Sequence, residues 1–226
     1  MALATVQRRL GELYDVELDV RVDDFLCDAD TARALGGDDA AARGEVLFVV
    51  QQQDGARVAL FVEPSAREPQ RGDGWLDDAQ RFRACCLAAE GVSHFVYLAF
   101  RADHEEEVSE LELELQAEID KWALGLLAPF HGIDDPRLLA GRGVGAIALR
   151  DRSRKLRDRL FGRARFLDAA GTERGDRYRA ALRLGARYAR ELEDELVSRG
   201  DIGALTRELR RFYRLGSREK IERTGG

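Results

Sequence analysis

The sequence predicts an α+β protein: a small antiparallel or mixed sheet in the order αβββαβ, covered by helices and followed by a helical C-terminal part. Three observations carry that prediction. Two apolar runs, Val46 to Val50 and Val58 to Val62, flank Asp54-Gly55, the pattern of a β-hairpin. Strand-like and helix-like periods follow one another up to about residue 128. After Pro136 there is no further proline, and the remaining chain reads at helical spacing.

The elements follow in order. Leu3, Val6, Leu10 and Leu13 share one face of a first helix. Val20, Val22, Phe25 and Leu26 predict a strand near 19–27, and the small acidic stretch from Asp28 to Arg43 a short helix and a loop. The hairpin comes next, and Pro64 ends its second strand because proline cannot donate to a ladder. Trp75, Ala79, Phe82, Cys86 and Ala89 mark a helix, with Gly91 at its predicted C-terminal stop. The aromatic run from His94 to Phe100 predicts a buried strand. Ser109 and Glu112 form a capping box, with Val108 and Leu113 as its hydrophobic staple. The helix they open carries Leu111, Leu115, Ile119, Trp122 and Leu126 on one face and ends before Pro129.

Pro129, Pro136 and Gly132, Gly141, Gly143 and Gly145 predict a hinge over 129–148. It divides an α+β core over 1–128 from a basic helical part over 149–226, which is expected to pack on the core. In that part, helices are predicted near 150–167 and 176–199, the second with Tyr178, Leu182, Gly185, Tyr188, Leu192 and Leu196 in one stripe. Asp201 caps a last helix that carries Ile202, Leu205, Leu209 and Phe212.

Composition narrows the class of function. Of 226 residues, 45% are hydrophobic and 35% charged, which excludes a disordered chain on the first count and a membrane-embedded one on the second. No apolar run reaches the ~18 residues of a membrane span, and the start MALATVQRRL has no secretion signal after its charges. Cys27, Cys85 and Cys86 form no C-x-x-C pair, which points to a reducing, cytoplasmic setting and away from zinc. The chain uses 33 Arg against 3 Lys, a bias of the kind a GC-rich bacterial genome imposes. Charge is divided along the chain. Residues 1–149 hold 14 basic and 29 acidic side chains, a net of −15, whereas residues 150–226 hold 22 and 13, a net of +9.

That division supplies the main candidate sites. Arg150, Arg152, Arg154, Lys155, Arg157, Arg159, Arg163 and Arg165 form a basic patch, which either pairs with the acidic half or binds phosphate, lipid or a partner helix. Glu110, Glu114, Glu118 and Asp120 form an acidic face for docking a basic partner. Gln116 and Asp120 share a face with Leu113, Ala117 and Leu124, which predicts partial burial of both polar groups. Glu90 and His94 flank the predicted turn into the aromatic strand, where a histidine beside a carboxylate could serve as a general base, although no serine or cysteine near them has the setting of a nucleophile. Gly141-Arg142-Gly143-Val144-Gly145 lacks the third glycine of a dinucleotide loop and the Gly-Lys-Ser/Thr of a P-loop, and reads as a connector.

The order αβββαβ resembles the core of restriction-type nucleases, which implies carboxylates on the second and third strands and a lysine beside them. Here the third strand ends Glu63-Pro64-Ser65 with no lysine, leaving Glu45 and Glu63 as the only candidate metal carboxylates. The same order is similar to that of small acidic dimeric chaperones of bacterial secretion systems, with no motif residue matched. The expected function is a non-enzymatic cytosolic interaction protein, of adaptor, chaperone-like or regulatory kind, with complementary acidic and basic faces. A nucleic-acid-binding protein that uses Arg150 to Arg165 is the alternative, and a metal-dependent nuclease-like enzyme the third. The expected partner is a protein, with nucleic acid or a second copy of the chain next. No catalytic residue, metal or cofactor is assigned.

Overall fold

A computed structural model describes residues 2–52, 55–68, 73–127 and 146–225. Helix α1 (Leu3–Tyr14) buries the predicted face of Leu3, Val6, Leu10 and Leu13 and adds Tyr14. The strand expected near 19–27 does not form. Val22–Phe25 is a single 3-10 turn, and Leu26 makes one isolated bridge to Leu60. Gln7 explains why: its amide donates to the Val20 carbonyl at 2.7 Å and accepts from the Val22 N–H at 2.8 Å. A side chain thus meets backbone groups that a ladder would otherwise have to satisfy. Helix α2 (Ala29–Ala42) is capped by Asp28, which accepts from the Thr31 N–H, and is kinked at Gly37.

The hairpin forms. β1 (Glu45–Gln52) and β2 (Gly55–Val62) pair antiparallel from Glu45↔Val62 to Gln52↔Gly55. Gly55 is therefore the first residue of β2, and Asp54 lies outside the described residues. Pro64 ends the strand as expected and opens a one-turn helix, α3 (Pro64–Arg67).

The largest departure is α4 (Ala79–Asp103), one continuous helix where a helix, a glycine stop and a strand were predicted. Gly91 does not end it. A Cβ there would sit 2.9 Å from Glu45 Cγ and 3.0 Å from Val62 Cγ2, so the glycine lets the hairpin base close onto the helix. The run His94 to Tyr97 looks strand-like because every one of its side chains is buried, and a helix enclosed on all sides loses its amphipathic period. With two of the expected strands absent, the molecule keeps the α+β class as a two-stranded sheet among helices, followed by a helical C-terminal part. The αβββαβ order, and with it the likeness to nuclease and chaperone cores, is gone.

Helix α5 (Glu110–Leu127) is the central one. Ser109 caps it by accepting the Glu112 N–H at 3.2 Å, but the Glu112 side chain does not reach back and instead accepts from Tyr97. α5 packs against α4, against α6 (Ala146–Arg157) with its π-type continuation Asp158–Gly162, and against α7 (Glu173–Glu195). At Gly185 a Cβ would lie 3.0 Å from Glu118 Cβ, so glycine sets how closely α7 approaches α5. Helix α8 (Ile202–Tyr213) starts at the predicted Asp201 cap, and α9 (Ser217–Arg223) closes the described chain. One apolar cluster runs from Leu3 to Tyr213 and includes the core faces of α1, α4, α5 and α8. Of the predicted hinge, 146–148 is the first turn of α6, and 129–145, with its glycine-rich loop and His131, lies outside the described residues.

Candidate functional site: a buried polar centre on α4 and α5

The face that α5 turns inward is not only apolar. Glu112, Gln116 and Asp120, spaced four apart, line one side, and Glu114, Glu118 and Lys121 line another. Two polar networks result.

The first joins four helices. Asp120, 0% exposed, accepts from Ser93 Oγ at 2.6 Å, from Gln116 Nε2 at 2.8 Å and from the Tyr14 hydroxyl. Lys220, on α9 and also 0% exposed, donates to Gln116 Oε1 and to the Tyr97 hydroxyl, each at 2.7 Å. Tyr97 in turn donates to Glu112, and Arg101 bonds Glu106 at 2.6 Å and lies 3.8 Å from Glu112. Burial raises the Asp120 carboxyl above its usual range, against the pull of its Ser93, Tyr14 and Gln116 hydrogen bonds. Burial likewise lowers the Lys220 ammonium to about 7, opposed by Glu112 and Asp120.

The second network lies where β1 meets α4 and α5. His94 Nδ1 is 3.4 Å from Glu45, and its Nε2 is 3.6 Å from Glu114. Lys121 binds Glu90 at 3.0 Å and Glu118 at 2.8 Å. Burial works against the His94 imidazolium, but Glu114 and Glu45 outweigh it and hold its pKa well above the ordinary value. Lys121 is held up in the same way by Glu118 and Glu90 against its burial. Cys86 lies beside them, and burial pushes its thiol up to about 12, far from a thiolate at neutral pH. His94 Nε2 and Glu118 Oε2 are buried without a hydrogen-bond partner among the described residues.

Chemically, this centre encloses charges of both signs and pairs them with one another. Four carboxylates, from Glu45, Glu90, Glu114 and Glu118, surround two cations, and the histidine that could serve as a base is 6% exposed. Glu90 and His94 sit one turn apart inside α4, not across a turn. No group of three or more His, Cys, Asp or Glu could hold a metal ion among the described residues. Glu45 faces His94, whereas Glu63 binds Arg83 at 2.5 Å and Ser65 at 2.7 Å, so the two carboxylates have separate partners.

The acidic face is mostly internal. Asp120 and Glu118 are buried, Glu114 is nearly so against His94, and Glu110 alone is exposed, paired with Arg177 of α7. As an open docking surface it is corrected: its charge meets His94 and Lys121 within the fold. The predicted burial of Gln116 and Asp120 is complete.

The basic patch divides. Arg152 donates to the Gly125 carbonyl at 2.8 Å, and Arg157 binds Glu193 at 2.9 Å. Arg159 lies over the Phe82 ring, and Lys155 pairs with Asp77. Among the described residues, Arg154 pairs with Asp151 and Arg163 with Asp158 on their own segment, and both are exposed, as are Arg150 and Arg165.

Sequence reasoning missed Lys121, Lys220, Tyr14, Ser93, Tyr97 and Glu112. One signal was available. In a chain that takes arginine 33 times, lysine occurs at only three positions, and two of the three belong to these networks, Lys220 buried and Lys121 with its side chain 9% exposed. Compared with protein-family models, with curated proteins and with solved structures, the chain matches none of them.

Proposed function

We propose that the protein acts by binding another protein, as an adaptor or regulatory component of the cytoplasm, and presents a cationic face to an acidic partner. One observation carries this reading. Glu114 and Glu118 of α5 turn inward onto His94 and Lys121, and the exposed Glu110 is paired with Arg177, while Arg150, Arg154, Arg163 and Arg165 stay on the outside of α6 and the segment after it. Among the described residues, the charge of α5 is thus largely met within the chain, and these four guanidinium groups remain at the surface. The three free thiols support a reducing compartment. No described helix is long and apolar enough to cross a membrane.

The test is capture from native lysate with the wild-type chain and with a charge-reversed one, Arg150→Glu, Arg154→Glu, Arg163→Glu and Arg165→Glu. A stoichiometric acidic partner that is lost in the variant and weakens with salt is the expected result. The same partner retained by the variant would reject this face. Nucleic acid is the second reading, favoured by the same four exposed guanidinium groups. Fluorescence anisotropy against a salt series separates the two, since phosphate contacts give a log–log slope of about −0.9 per phosphate neutralised on duplex DNA.

A further inference from the structure

We propose that α9 is a proton-coupled latch: it docks with the Lys220 side chain as a neutral amine, and its hold on the body weakens when that amine takes up a proton. This goes beyond the binding reading above and does not depend on it.

The geometry of the amine carries the proposal. Lys220 Nζ has two hydrogen-bond acceptors, Tyr97 Oη and Gln116 Oε1, each at 2.7 Å. A neutral amine has two N–H groups, and this site matches both. An ammonium has a third, and the other groups around Nζ are ring faces: Tyr97 at 4.0 Å, Phe212 at 5.1 Å and Tyr213 at 5.8 Å from the ring centres. Neither direct acceptor is charged. Gln116 is an amide, and the Tyr97 hydroxyl already donates to Glu112.

Several charged or titratable groups face this amine. From α5, Glu112 and Asp120 act on it through Tyr97 and Gln116 and favour the charged form. From α4, Arg101 disfavours it. Tyr14 of α1 and Tyr213 of α8 border the same network, and burial holds both phenols neutral. The ring faces give the ammonium partial compensation. Burial outweighs the favourable contributions and sets the titration at about 7.

The remaining anchors of α9 lie nearer the surface. Arg223 binds Glu208 at 2.9 Å and Glu191 at 2.5 Å, and Ser217 meets Ser109 at 2.9 Å. Among the described residues, releasing Lys220 therefore removes the most deeply buried side-chain attachment of α9 and opens the Tyr97–Gln116–Asp120 chain to water.

The linkage has a definite sign. Undocked, the lysine keeps its ordinary affinity for protons and stays charged well above neutrality. Docked, it loses its proton from about pH 7 upward. Docking therefore strengthens as pH rises through 7, by about tenfold per unit, until the undocked lysine also titrates. Below pH 7 both forms are charged, and docking is weakest and flat.

The chain has only three lysines, Lys121, Lys155 and Lys220, so lysine labelled with 13C at Cε gives three assignable signals in the intact protein. One signal is expected to titrate near pH 7 and to vanish in Lys220→Met. A Lys220 signal that stays charged to pH 10 would overturn the proposal whether or not any variant folds. Hydrogen exchange of the segment 214–225, corrected for the intrinsic pH dependence, supplies the second readout. Its protection is expected to rise about 100-fold from pH 6 to pH 9 in the wild type and to stay level in Lys220→Met. Arg223→Ala is expected to lower protection equally at every pH. Equal pH responses in the wild type and Lys220→Met would reject the latch.

Discussion

Lys121 stands between Glu90 and Glu118 with all three side chains largely enclosed, and the consequence of removing it is specific. Lys121→Met leaves two buried carboxylates facing each other without a cation, which is expected to cost about 3–5 kcal/mol in urea unfolding. A loss below about 1 kcal/mol, the usual worth of an exposed pair, would mean that water reaches the site. His94 makes a different prediction, in pH. Its folded pKa is raised above its unfolded value, so the stability it contributes is complete below about 6.5 and is lost as pH rises through the folded value. The stability difference between wild type and His94→Gln is therefore expected to shrink with rising pH. A difference that is constant from pH 5 to 9 would show that Glu45 and Glu114 do not hold the imidazolium.

Among the elements, α4 shows where local pattern fails. A glycine at 91 and the apolar and aromatic run from His94 to Phe100 fit a helix stop and a strand, yet the same residues fit a helix buried on every side. The choice depends on what surrounds the segment. The hairpin base covers Gly91 and α5 covers the far side, so helix wins. Gly91→Ala tests this directly. In an exposed helix the change would stabilise by up to ~1 kcal/mol. Here it is expected to destabilise by about 1–3 kcal/mol, because a methyl group 2.9 Å from Glu45 Cγ pushes the hairpin away. The Asp201 cap of α8 was legible from sequence and makes a plain prediction: Asp201→Ala loses the bond to the Ala204 N–H and about 1 kcal/mol of stability by thermal or chemical unfolding.

On the scale of the whole molecule, ion pairs in both senses join the acidic and the basic parts of the sequence. Arg43 binds Asp168 through two hydrogen bonds at 2.9 Å, Arg177 pairs with Glu110, and Lys155 pairs with Asp77. Arg43→Ala is expected to cost about 1–2 kcal/mol, more than a single exposed pair, because the contact is bidentate and partly shielded. Reversing the four outer arginines of the cationic face is expected to shift stability by no more than about 0.5 kcal/mol each, since they face solvent. That variant therefore tests binding without testing folding, and unchanged thermal unfolding is its control.

The hairpin, the faces of α1 and α5, the Ser109 and Asp201 caps and the division of charge are legible in the sequence alone, whereas the register, which sets Gly55 opposite Gln52, is not. Each legible feature depends on neighbours within a few residues or on composition, and such signals survive without a fold. The sequence also foretold that Gln116 and Asp120 turn inward, because helical spacing alone places them beside Leu113 and Leu124. Three features depend on distant contacts instead: α4 is one helix, the stretch near 19–27 is held by Gln7 and not by a ladder, and Lys220 meets Tyr97 and Gln116 across more than 100 positions of chain. These outcomes come from burial and from contacts between distant segments. Burial erases the periodicity by which a helix is read, and a hydrogen bond between residues far apart in sequence leaves no local pattern.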